Sequence, residues 1–123
     1  MSKRQQRFSI KARIKSIKTA INGIMIVAKE EHNAWLHIIA TLAIIIIASR
    51  LNITAIEGSL LIFAIGLVWT SEAFNSAIEA LTDEVSGAYS IGIKKTKDIA
   101  AGAVLISSLT ALAIGLLILL PKL

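Results

Sequence analysis

The sequence holds no cysteine, so neither a disulfide framework nor a thiolate metal site is open to it. Its one proline, Pro121, stands near the C-terminal edge, where it interrupts no helix. Basic residues open the chain, but no apolar core with a small-residue cleavage site follows within the first 30 positions. A secretory signal peptide is therefore not expected. Polar sequence is scarce outside residues 1–31 and 82–98, too scarce to cover the surface of a soluble domain of this length. No aromatic platform accompanies the positive charge, which argues against nucleic acid as a partner.

What remains is a 123-residue chain, 55% hydrophobic, that still carries a net charge of +5. The apolar residues fall into three runs, about 34–50, 56–81 and 99–120. Each approaches the ~20 residues that a helix needs to cross a bilayer, and Asn52 marks the turn between the first two. Ahead of them, Ile10, Ile14, Ile17, Ile21 and Ile24 recur every three or four residues, with Lys11, Arg13, Lys15 and Lys18 among them. That spacing predicts an amphipathic helix within 1–31, lying at the cytoplasmic interface on anionic lipid headgroups. The expected fold is thus an all-α integral membrane protein, a single domain over 1–123, with a surface helix and three transmembrane helices.

Lysine and arginine set the orientation. They crowd the segment before the first run, and Lys94, Lys95 and Lys97 lie between the second and third. Between the first two runs the only basic residue is Arg50, at the very end of the first, and Lys122 trails the last. The positive-inside rule then places the N-terminus and an 82–98 loop in the cytoplasm and the C-terminus outside.

The second run ends in polar residues. Glu72, Asn75, Ser76, Glu79 and Asp83 share one helical face, a costly arrangement beside hydrocarbon that marks a functional site. With the topology above, Glu31, Glu72, Glu79, Asp83, Lys97 and Asp98 reach one membrane level. Carboxylates meeting lysines there suggest Mg²⁺ binding and phosphate handling. A standard phosphate loop is absent: Gly87 and Gly92 have the outer spacing of one, but Ile93 stands at the lysine position and no strand precedes it.

The pattern Glu72-x-x-Asn75-Ser76-Ala77-Ile78-Glu79-Ala80-x-x-Asp83, followed by Lys97-Asp98-x-Ala100-x-Gly102-Ala103-Val104-Leu105, resembles the signature of the prokaryotic diacylglycerol kinase family. These are small three-span membrane lipid kinases of the bacterial cytoplasmic membrane, undecaprenol kinases among them. The resemblance implies ATP-dependent phosphorylation of a membrane lipid alcohol, diacylglycerol or undecaprenol, with Mg²⁺. It implies Glu72 as the catalytic base and Glu31 and Glu79 as metal ligands. Glu31, Asn75, Glu79, Asp83, Tyr89, Lys97 and Asp98 would surround the nucleotide. It also implies a homotrimer with sites shared between subunits. Glu31-x-Asn33-x-x-x-His37 resembles the undecaprenol kinase branch, which makes Asn33 and His37 lipid-contact candidates beside Glu72. The chain departs from the family where Ser90 and Ile91 follow Tyr89 in place of the usual histidine pattern, and where Trp35 and Leu36 replace an arginine.

Other readings of these residues stand beside that one. Glu72 and Glu79 could form the proton relay of a small proton-coupled transporter, or the chain could be a catalytically inactive interaction protein. Asn75, Ser76 and His37 could hydrogen-bond neighbouring helices. Asp98 could cap the third span. Lys94 and Lys95 read as topology charges, and Trp35, Trp69 and Tyr89 as interfacial anchors.

Overall fold

A computed structural model describes residues 7–85, 88 and 90–123. Among them run four helices: α1 (Ile10–Glu30), α2 (His32–Arg50), α3 (Ala55–Val85) and α4 (Ile91–Leu119). A 3-10 turn, Leu120–Lys122, closes the chain. Helices α2, α3 and α4 are long and apolar enough to cross a membrane. Tyr89 lies outside the described residues.

Each helix start has a local cause. Ser9 caps α1 through its Oγ, which accepts from the Ala12 N–H at 3.4 Å. Thr54 Oγ1 accepts from the Glu57 N–H at 3.2 Å where α3 begins, and Ser90 Oγ accepts from the Ile93 N–H at 3.1 Å where α4 begins. Between α1 and α2 the backbone leaves the helical region at one residue, Glu31, with φ −88° and ψ 126°. The Glu31 N–H still bonds to the Val27 carbonyl and its own carbonyl accepts from the Ala34 N–H, both at 3.2 Å, so the joint is short and both backbone groups of Glu31 are paired.

The principal packing is of α3 against α4. On α3 the buried residues are Leu61, Ala64, Val68, Glu72, Asn75 and Thr82, one continuous stripe along the helix. Ala100, Ser107 and Leu119 are buried on α4. The remaining apolar surface points outward: Ile39, Leu42 and Ile45 on α2, Ile62 and Phe63 on α3, and Leu105, Leu109 and Leu112 on α4 are all exposed. So large an apolar exterior suits a lipid solvent, in which outward leucine and isoleucine cost nothing.

The polar segment 82–98 is not the extended loop that its composition suggests. Helix α3 continues to Val85 and α4 starts at Ile91, so only 86–90 separate them. Lysine is a good helix former, and the Lys94–Asp98 ion pair at 2.6 Å spans one helical turn. The cap of α4 is consequently Ser90, and Asp98 lies within the helix rather than at its start. At 31 residues, α3 is roughly 46 Å long, well beyond a ~30 Å hydrocarbon layer. A helix of that length has turns to spare beyond the apolar layer, and its last turns are the polar ones.

At the opposite end a polar tie joins the C-terminus to the α2–α3 link. Lys122 Nζ lies 3.2 Å from Glu57 Oε2 and donates to the Asn52 carbonyl at 2.9 Å. Both charged side chains are about a quarter exposed, so the pair is partly shielded from water. A double-mutant cycle of Glu57→Ala and Lys122→Ala, read by denaturation in detergent, is expected to give a small favourable coupling. A coupling of zero would show that the two charges contribute independently.

Candidate functional site

The polar stripe begins where the apolar stripe of α3 ends. Glu72 is one turn beyond Val68 on the same face, and its side chain has no exposed surface. Burying a carboxylate is expensive unless its oxygens find donors. Glu72 has one: Oε2 lies 3.1 Å from His37 Nε2 on α2. With Glu72 ionised, the carboxylate can only accept, so Nε2–H is the donor. The other oxygen, Oε1, is buried with no partner. A half-satisfied buried carboxylate is a stability cost that packing alone does not explain.

His37 is itself held in place. Its ring meets Trp69 edge-on, with centroids 6.0 Å apart and planes at 64°. Trp69 Nε1–H donates to Thr41 Oγ1 at 3.0 Å. Trp69 is thus an interhelical donor, half-buried between α2 and α3, and not simply an interfacial anchor. His37 makes the interhelical bond that its position in the first span suggests. It also lines an apolar groove of about 380 Å³ between α2, α3 and α4, whose walls include Thr41, Leu61, Ala64, Ala111 and Gly115.

Farther along the stripe, Asn75 is buried and its Nδ2 donates to Glu79 Oε1 at 3.5 Å, the long limit of a hydrogen bond. Asn75 Oδ1 and Ser76 Oγ are buried without partners, so Ser76 does not make the interhelical bond that one reading gave it. Asp83 is exposed and accepts from Lys97 Nζ at 2.6 Å, which joins the end of α3 to α4. Asp98 accepts from Lys94, so Lys94 is more than a topology charge. Glu31, at the α1–α2 joint, is half-buried, and Asn33 is exposed at the start of α2.

No three His, Asp or Glu side chains gather into a metal cage among the described residues. Mg²⁺ does not need one, because it is usually held by one or two carboxylates together with water and substrate phosphates. Glu79, with the unpartnered oxygens of Asn75 and Ser76 beside it, offers an oxygen-only donor set of that kind.

The model of the prokaryotic diacylglycerol kinase family matches residues 18–119. The chain belongs to this family. A Bacillus subtilis (strain 168) protein named undecaprenol kinase is 33% identical over 123 residues, covering 100% of both chains. The diacylglycerol kinase of Synechocystis sp. is 34% identical over 109 residues, 88% of this chain and 62% of that one. The diacylglycerol kinase of Escherichia coli (strain K12) is 38% identical over 73 residues, 59% of this chain and 60% of that one.

In this member of the prokaryotic diacylglycerol kinase family, the residues brought together are His37 with Glu72, Asn75 with Glu79, Asp83 with Lys97, and Lys94 with Asp98. Sequence reasoning missed the Thr41–Trp69 bond, whose only signal is a hydroxyl placed one turn after His37 on α2. Glu72→Gln removes the buried charge and leaves an oxygen to accept from His37. Its melting temperature in detergent is expected to equal or exceed that of the unaltered protein. A clear fall would mean that the ionised carboxylate stabilises the bundle.

Proposed function

We propose that this protein is a lipid kinase that transfers the γ-phosphoryl group of ATP to the hydroxyl of a membrane lipid alcohol. The observation that carries the reading is Glu72: a wholly buried carboxylate with a free Oε1, beside an apolar groove, in a chain of this family. The acceptor chain lies in the groove and its hydroxyl sits at the Glu72 end. The hydroxyl oxygen attacks the γ-phosphorus as the bond to ADP breaks, and the hydroxyl proton passes to Glu72 Oε1. Undecaprenol is the favoured acceptor over diacylglycerol, because the relative matched from end to end is named for it.

Glu31 and Glu79 would hold Mg²⁺, which would neutralise charge on the nucleotide phosphates, and Asn75 would contact the nucleotide beside them. Lys97 exchanges its bond with Asp83 for a phosphate oxygen, and Asp98 and Tyr89 complete the surround. Asn33 stays with the lipid-contact residues at the interface. The protein sits in a cytoplasmic membrane with its N-terminus and the 86–90 link inside and its C-terminus outside. The basic side of α1 rests on anionic headgroups. The exposed faces of the spans meet two further copies in a trimer whose sites are shared. Family membership favours neither the transporter nor the inactive-protein alternative.

The test is phosphate transfer from labelled ATP in mixed micelles, with undecaprenol and diacylglycerol offered separately and in competition. Mg²⁺-dependent transfer to undecaprenol is expected to dominate, and transfer to neither lipid from assembled protein would overturn the kinase reading. Glu72→Gln is expected to lose at least about a thousandfold in kcat, and wild-type turnover in that variant would remove Glu72 as the base. A Cβ added at Gly115 meets nothing within 4 Å, so Gly115→Phe places its ring in the groove. It is expected to raise the KM for lipid at an unchanged KM for ATP; an unchanged lipid KM would place the acceptor chain elsewhere.

A further inference from the structure

His37 stands between the groove and the buried carboxylate, and touches both. A glutamate side chain has three rotatable bonds, and α3 alone does not fix where its two oxygens point. Here one oxygen is fixed from a different helix: Oε2 lies 3.1 Å from His37 Nε2, which leaves Oε1 as the free one. The imidazole is restrained in turn by the edge of Trp69, and the indole by its bond to Thr41 Oγ1. Thr41 is one turn beyond His37 on α2, and Glu72 is nearly one turn beyond Trp69 on α3. The four side chains therefore close a circuit across the two helices, and Glu72 Oε1 is the one atom of the circuit, among those named, that the circuit leaves open.

Resting on the lipid kinase reading above, we infer that His37 is a positioning residue for the transfer. Its Nε2–H holds Glu72 by Oε2 so that Oε1 is presented to the acceptor hydroxyl. A merely structural role would be to satisfy a buried acceptor. The two roles separate kinetically, because loss of satisfaction weakens the fold, whereas loss of orientation slows the chemical step in protein that remains assembled.

The experiment measures kcat and both KM values for assembled wild-type, His37→Leu and His37→Gln proteins, with thermal stability followed in parallel. His37→Leu is expected to lower kcat about ten- to a hundredfold, the range for one hydrogen bond to a charged group. Neither KM should move by more than about threefold, as befits an interaction made in the transition state. His37→Gln keeps an N–H donor of similar reach and is expected to restore kcat to within about fivefold of wild type. Where the leucine variant fails to assemble, Thr41→Val removes the restraint on Trp69 and is expected to lower kcat at unchanged KM. Equal losses in the leucine and glutamine variants, a loss confined to KM, or unchanged kcat in assembled His37→Leu or Thr41→Val would each overturn the inference. Wild-type protein that transfers no phosphate would instead overturn the kinase reading itself.

Discussion

A carboxylate with no contact to solvent, in a helix surrounded by apolar side chains, can persist only if something holds it from the side. Glu72 depends on that constraint, and much of the polar structure around it answers to it. The donor comes from α2, which is otherwise mostly exposed, with Ala34 its one buried residue. The contact between α2 and α3 is therefore specified by polar bonds more than by area. His37 to Glu72 and Trp69 to Thr41 fix the register of the two helices at the level where the buried carboxyl group sits. Apolar packing alone tolerates sliding, whereas two hydrogen bonds one turn apart do not.

Helix α3 carries two functions along one face. Leu61, Ala64 and Val68 line the groove, and Glu72, Asn75 and Glu79 continue the same face toward the polar end. Because the stripe is continuous on a single rod, the distance from the apolar groove to each polar group is set by helical rise and does not depend on a flexible segment. The extension of α3 to Val85 and of α4 back to Ile91 serves the same end. It places Asp83 and Lys97 on facing helices instead of on a loop, close enough to pair at 2.6 Å.

Much of this was legible in the sequence. Long apolar runs fix three spans because a bilayer demands their length, and the stripe from Glu72 to Asp83 stands out because those residues do not belong beside hydrocarbon. The extent of the helices around 86–90 was less legible: lysine-rich sequence at a membrane edge suits both a loop and a helix, and the serine cap that decides is one residue, Ser90. The partners of individual side chains were less legible still. Trp69 reads as an anchor until Thr41 is seen opposite it, and Lys94 reads as a topology charge until Asp98 is seen one turn on. Such pairings depend on which faces of neighbouring helices meet, and composition does not encode that.

The tie at Lys122 bears on how the bundle is held. Helices α2 and α3 are joined covalently by the link after Arg50 and α3 and α4 by residues 86–90, while Lys122, just past α4, pairs ionically with Glu57 at the start of α3 and donates to the Asn52 carbonyl in the first of these links. Helices α2 and α4 share no link of their own, and the bond from Lys122 to the Asn52 carbonyl ties the C-terminal turn to the segment that leaves α2. The three spans thus resemble a sheaf bound at one end, where the C-terminal turn is tied back to the entry of α3.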